Sequence, residues 1–373
     1  MVFFRNFYEK DRKKGHYIWG TLHAAGRNSR GRKGFTPWTL TGGVCREYEG
    51  EKRNGVTGMK KKTTVGLLGL VAAGAGAAGG WKALGNFLYS QCMVPLARDP
   101  DKPEANPIQA EGRAWARRRE GFREAAIRSA DGLALWAAVV PGQPESHRWA
   151  VCVHGYYDTY ESMGAIARWY HERGWNVLLP DQRGHGRSAG DYVGWGYDER
   201  LDLVGWVNYI IRRDPEAEVV LHGVSMGAAT VLMATGGAMP RQVRAAVSDC
   251  SYTTIEGEVR YLLSRWEGRP PFPLPVGLLF SALRRTTLRR AGYDLRDAAP
   301  IEAVKQSETP TLFIHGVEDD FVPASMMGKL YQAARCPKRF LWVPGAGHAT
   351  AVGTDGELYW TAVSDFLGGL LSE

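Results

Sequence analysis

From about residue 113 onward the chain repeats one pattern. A short, nearly unbroken apolar run ends in glycine or an acidic turn, and an amphipathic stretch follows. Residues 149–154 end at Gly155, 176–180 at Asp181, 218–222 at Gly223, and 243–247 at Ser248-Asp249. Residues 311–315 end at Gly316 and 339–343 at Pro344-Gly345. Runs this short and this apolar suit strands buried on both faces of a parallel sheet. Helical spacing occupies the intervals: residues 162–173 place Met163, Ile166, Ala167 and Tyr170 on one face, and 199–213 do the same with Leu203, Trp206, Val207 and Ile210. Further helices are expected over 228–238 and about 355–371. Such alternation predicts an α/β fold, with a mostly parallel central sheet and helices on both faces. Residues 123–141, split at Asp131-Gly132, read as an opening antiparallel hairpin.

Charge separates the first part of the chain from the rest. Residues 1–62 carry 15 Lys and Arg against 5 Asp and Glu, whereas the remainder, with 32 basic and 34 acidic residues, is net −2. The basic balance of the 373-residue chain therefore sits in its leader, and the body has no excess to offer phosphates, which argues against a nucleic-acid partner for the whole. The five cysteines lie far apart with no C-x-x-C pair, so neither a zinc site nor a disulfide framework is indicated.

The organisation expected is a basic irregular leader over 1–58, a signal anchor or signal peptide over 59–97, a Pro-rich charged linker over 98–112, and the α/β domain over 113–373. Met59-Lys60-Lys61-Lys62 followed by an uncharged Gly/Ala-rich stretch has the layout of an export signal. Met59 is accordingly expected to be the translation start, with 1–58 not translated. Leu84, Phe87, Leu88, Tyr89, Met93, Val94 and Leu96 continue the apolar theme. This favours an uncleaved membrane anchor with the body extracytoplasmic, or secretion if the signal is cleaved.

Chemistry concentrates in Gly223-Val224-Ser225-Met226-Gly227, placed between an expected strand and an expected helix. A serine on a sharp strand-to-helix turn needs small neighbours, and its hydroxyl needs a base within hydrogen-bond reach. His348, in the small-residue loop after the last strand, is the candidate base. Asp319, after the strand over 311–315, is the candidate orienting acid, ahead of Asp249 and Asp320. The chain order Ser…Asp…His suits this architecture. An oxyanion would need preorganised donors, expected from the backbone N–H groups of Met226 and Tyr156. His154, His185, His222 and His315 read as structural.

The 58 residues or so after Ser251 interrupt the alternation with a Pro-broken apolar insertion, read as a helical lid over about 252–308. Tyr157, Trp266, Phe272 and Phe280 are possible substrate-pocket residues, with Leu278 and Leu279 in the same wall. The alternative is a helix that only buries its apolar side on the core.

Over about residues 113–373 the chain resembles serine α/β-hydrolases. It looks most like bacterial, often membrane-anchored members of unassigned substrate, related to esterases, monoacylglycerol lipases and prolyl-oligopeptidase-type peptidases. The resemblance rests on His154-Gly155, Asp181-Gln182-Arg183-Gly184-His185-Gly186-Arg187-Ser188, the segment 223–227, the Asp319 segment and Gly347-His348. It implies nucleophile, acid and base at Ser225, Asp319 and His348, and hydrolysis of a small-molecule carboxylic ester through an acyl-enzyme. No metal or organic cofactor is called for. The rival readings are a serine peptidase of prolyl-oligopeptidase or aminopeptidase type, and a catalytically inactive membrane-tethered binding protein. Oligomeric state is open.

Overall fold

Eight strands form one sheet in the computed structural model, which describes residues 76–95, 104, 106–265 and 275–371. In chain order they are β1 (Arg123–Arg128), β2 (Ala134–Val140), β3 (Arg148–Val153), β4 (Asn176–Pro180), β5 (Glu218–Val224), β6 (Val243–Asp249), β7 (Thr311–Gly316) and β8 (Lys338–Val343). Their spatial order is β1-β2-β4-β3-β5-β6-β7-β8. The hairpin β1–β2 and the pair β2–β4 are antiparallel, and all other pairs are parallel. Each expected run is a strand.

The sheet is buried on both faces because its side chains alternate. Along β2, Leu135, Ala137 and Val139 join one apolar cluster, while Trp136, Ala138 and Val140 join another. The first face is covered by α4 (Glu199–Ile211) and α5 (Met226–Thr235), through Leu203, Trp206, Ile210 and Val231. The second is covered by α2 (Pro107–Arg118), α3 (Gly164–His171) and α11 (Gly356–Leu367), through Ala116, Ile166, Tyr170, Tyr359 and Phe366. Short helices α8 (Pro300–Ala303) and α10 (Ala351–Thr354) and helix α9 (Ser325–Ala333) complete the layers.

The insertion after β6 contains α6 (Ile255–Ser264) and α7 (Val276–Arg290). With α1 (Gly76–Cys92) these helices form a third apolar cluster, built from Leu88, Tyr89, Cys92, Met93, Ile255, Val259, Leu279, Phe280 and Leu283. Helix α1 thus packs on the domain with the apolar residues that the sequence pattern assigned to an anchor. No helix among the described residues is long and apolar enough to cross a membrane. The leader over 1–58 and the Lys60–Lys62 stretch lie outside the described residues.

One boundary and one expected wall residue differ from expectation. Residues 107–112, expected as linker, begin α2, because Asn106 caps it: its Oδ1 accepts the Gln109 N–H at 2.9 Å, with Pro107 at the first helical position. Leu278 faces solvent, 52% exposed, whereas its neighbours Leu279 and Phe280 turn inward.

Candidate active site

The parallel strands deliver their C-terminal ends to one edge, where α/β sheets place their ligand sites. Ser225 follows β5, Asp319 follows β7 and His348 follows β8. Ser225 occupies φ +57°, ψ −119°, and its N–H donates to Asp249 O at 2.8 Å. A side chain other than Ser225 would find the turn crowded on both sides. A Cβ at Gly223 would collide with Gly227 O, and one at Gly227 with Val153 O. The two flanking glycines are thus required by close approach of backbone to backbone.

The three expected residues are brought together. Ser225 Oγ lies 2.8 Å from His348 Nε2, and His348 Nδ1 lies 2.8 Å from Asp319 Oδ2. A carboxylate only accepts, so His348 carries its proton on Nδ1 and its Nε2 faces the serine hydroxyl. Asp319 Oδ1 accepts the N–H groups of Phe321 at 3.0 Å and Val322 at 2.8 Å. Burial pushes the Asp319 carboxyl up. The His348 charge and the hydrogen bonds from His315 and His348 outweigh it and hold the group well below the usual carboxylate range.

The carboxylate that His348 meets is Asp319, not either rival. Asp249 Oδ2 accepts the Tyr359 hydroxyl at 3.1 Å, and burial pushes its pKa up to about 6. Asp320 is the next residue along, and the His348 imidazole bonds Asp319 rather than it; the backbone carbonyl of Asp320 accepts the Tyr261 hydroxyl at 3.1 Å.

On the other side of the serine, Gly155 lies close enough that a Cβ there would sit 3.3 Å from Ser225 Cβ. Tyr156 follows it in the loop after β3. Met226 opens α5, where the first N–H groups of a helix have no intrahelical partner. Tyr157 is half-buried beside Tyr156, with ring centroids 3.7 Å apart. Phe280 is buried in the cluster that also holds Met226, Tyr156, Val322 and Phe321. Trp266 and Phe272 lie outside the described residues.

Sequence reasoning missed two neighbours. His315, read as a strand cap, aims Nε2 at Asp319 Oδ2 (3.1 Å) and at Val322 O (2.9 Å), with both side chains enclosed. The Cys250 thiol is fully buried, and its Sγ lies within 4.8 Å of donor atoms of Asp319 and His348. Burial holds it well above the usual thiol range, as an un-ionised thiol. These three groups could approach a soft cation, but His348 and Asp319 already bond each other. The signal for His315 was its register, four residues before Asp319 on the same strand end.

His154, His185 and His222 have partners in the scaffold. His154 Nε2 accepts the Gln182 N–H at 3.0 Å, and His222 lies between Tyr170 and Tyr359 hydroxyls at 3.1 and 2.8 Å. Burial takes His222 down to about 3 and, with His154 nearby, His185 down to about 4, so both stay neutral. A groove of about 390 Å³ bounded by Arg148, Trp169, Arg173 and Leu371 lies at the opposite, N-terminal end of β3, away from Ser225.

Residues 144–272 match the family described as "Serine aminopeptidase, S33" (Hydrolase_4). The Mycobacterium tuberculosis protein Rv2307c is 32% identical over 251 residues, covering 66% of this chain and 79% of that protein. The Bacillus subtilis protein YqkD is 31% identical over 196 residues, covering 52% of this chain but 62% of YqkD, less than two thirds of its length. Among solved structures, Pyrococcus furiosus esterase Pf2001 aligns with a TM-score of 0.55 at 18% identity, over 74% of this chain and all of that one. An acetyl xylan esterase from Paenibacillus aligns at 0.52 and 17%, over 78% and 93%. These two likenesses are of fold.

Proposed function

Because the chain belongs to the α/β-hydrolase superfamily, we propose that it is a serine hydrolase that cleaves carboxylic esters through an acyl-Ser225 intermediate. The observation that carries this reading is the hydrogen-bonded chain from Ser225 Oγ through His348 to Asp319, with both links at 2.8 Å. In the proposed reaction His348 Nε2 takes the serine proton as Oγ attacks the ester carbonyl. Asp319 stabilises the imidazolium that forms. The N–H groups of Met226 and Tyr156 receive the negative charge on the carbonyl oxygen. His348 then gives its proton to the leaving alkoxide, and the same steps with water release the acid and free Ser225. The esterase names of two structural neighbours agree with ester cleavage, and the apolar cluster beside Met226 agrees with an apolar group on the substrate.

The match to the serine aminopeptidase family favours a second reading, in which the leaving group is an amine. Fluorophosphonate labelling of the full chain and of Ser225→Ala, read by peptide mass spectrometry, tests the nucleophile. Labelling at Ser225 that the variant lacks is expected. A folded wild type that stays unlabelled would overturn the proposal. Turnover of 4-nitrophenyl esters, set against aminoacyl 4-nitroanilides, separates ester from amide cleavage.

A further inference from the structure

Helix α1 ends where the loop after β3 begins its work. The last four carbonyls of a helix have no intrahelical donors. Here two of them find donors in consecutive side chains of that loop. The Tyr156 hydroxyl donates to Cys92 O at 2.9 Å, and the Tyr157 hydroxyl donates to Gln91 O at 3.4 Å. Just past the helix, Met93 O accepts the Val193 N–H at 2.7 Å.

The loop needs such a hold. Tyr157 adopts φ +60°, a left-handed conformation that a bulky residue keeps only where its surroundings impose it. The Tyr156 ring is held between Tyr157 and Trp195, with centroids 3.7 and 4.4 Å away. Trp195 is fixed in turn, since its carbonyl accepts the Tyr252 hydroxyl at 2.7 Å.

The other side of α1 is locked to the insertion. A Cβ at Gly85 would collide with Ala282 O and Thr286 Oγ1 of α7, so only glycine permits this approach. The Arg290 guanidinium lies 4.3 Å from the centroid of Tyr89. Helix α1 therefore joins α7 directly to the loop beside Ser225.

We propose that α1 is a positioning element of the active site, holding the Tyr156 N–H in line with Ser225 through the Tyr156 side chain. The inference rests on the catalytic reading above. It makes Tyr156 a positioning residue through its hydroxyl, and it couples the seat of α7 to the geometry of the oxyanion donor. A donor displaced by about 1 Å costs up to about 100-fold in turnover. The binding of a small ester, which depends little on that donor, changes less.

The test uses the full chain and 4-nitrophenyl butyrate. Tyr156→Phe keeps the ring and removes only the hydroxyl. Gly85→Leu pushes α1 off α7, and Leu88→Ala is the milder substitute should that variant not fold. Each single variant is expected to lose about tenfold or more in kcat, with KM changed less than about threefold. The double variant is expected to be no worse than the worse single. Unchanged kcat in Tyr156→Phe, with only a lowered melting temperature, would make the contact purely structural and overturn the inference. Losses that multiply in the double variant would also overturn it, since the two sites would then act independently. A wild type that does not label with fluorophosphonate fails earlier, and takes down the catalytic reading itself.

Discussion

Asp319 accepts two backbone N–H groups, His348 and His315 while its side chain is enclosed. Its folded pKa is held below the ordinary carboxylate value, so it binds a proton less readily in the folded chain than in the unfolded one. The stability this confers is present above about pH 4 and is lost as pH falls through and below that value. Asp319→Asn should lower kcat by about 10⁴, the loss seen when the orienting acid is neutralised in the serine-protease template. It should also lower the melting temperature at pH 7, with the difference from wild type closing toward pH 3. A loss of melting temperature equal at both pH values would sink the electrostatic account. His315 can be separated from the rest, because it donates to Asp319 without touching Ser225. Removing a hydrogen bond to a charged, buried group costs about 1.5–3 kcal/mol. His315→Phe should show a loss of that size in urea unfolding at pH 7, and His315→Gln, which keeps an N–H, should recover part of it. Equal losses in the two variants would place the effect in packing rather than in the hydrogen bond.

Strands were legible because both their faces are buried: Val219 and Leu221 turn to one side, Val220 to the other, and all three are apolar. The turn motifs were legible because close approach leaves little choice of residue at Gly223 and Gly227. Helix α1 was not, because Gly, Ala and Leu after a lysine cluster satisfy an export signal and a packed helix equally. The contacts with α7 show the packed helix over residues 76–92. Helix α2 was hidden by the Pro-rich run before it, although Asn106-Pro107 followed by Gln109 is a start signal in its own right. The insertion was legible as an apolar segment that interrupts the alternation of strands, but not in its polarity. Glu258 of α6 is 1% exposed, on the face with Ile255, Val259 and Leu262, and neither carboxyl oxygen has a hydrogen-bond partner among the described residues. Burial first, and then the Asp319 charge, push its pKa well up. An acid whose pKa is raised by folding costs stability as pH rises above its unfolded value near 4.3. Glu258→Gln should therefore melt above wild type at pH 8, with the gap shrinking toward pH 4. A variant that melts below wild type at both pH values would mean that the ionised carboxylate has a stabilising partner.

At the scale of the whole molecule, the sheet and its helical layers account for the ends of β5, β7 and β8, but not for the ceiling above them. That ceiling is built from segments remote in sequence: α1 before the sheet and α6–α7 between its strands. Leu88, Tyr89, Cys92 and Met93 are all buried in it, against Phe280, Leu283 and Tyr293. Fully burying a Leu or Met side chain stabilises a fold by about 1.5–3 kcal/mol. A typical domain has only about 5–15 kcal/mol in total. Cutting the chain before residue 104 removes all four of these side chains together with the two carbonyls that bind Tyr156 and Tyr157. It leaves the sheet, the Ser225–His348–Asp319 hydrogen bonds and every strand pairing in place. The shortened chain, residues 104–373, should therefore melt at a lower temperature than the full chain and bind an apolar dye at the uncovered α7 surface. Its turnover of 4-nitrophenyl butyrate should fall by more than its loss of folded protein explains. Activity per folded molecule, from titration of the reactive serine with fluorophosphonate, separates these effects. If the shortened chain matches the full chain in both melting temperature and turnover per reactive serine, α1 is an appendage. The sheet with α6 and α7 would then be sufficient to hold the site.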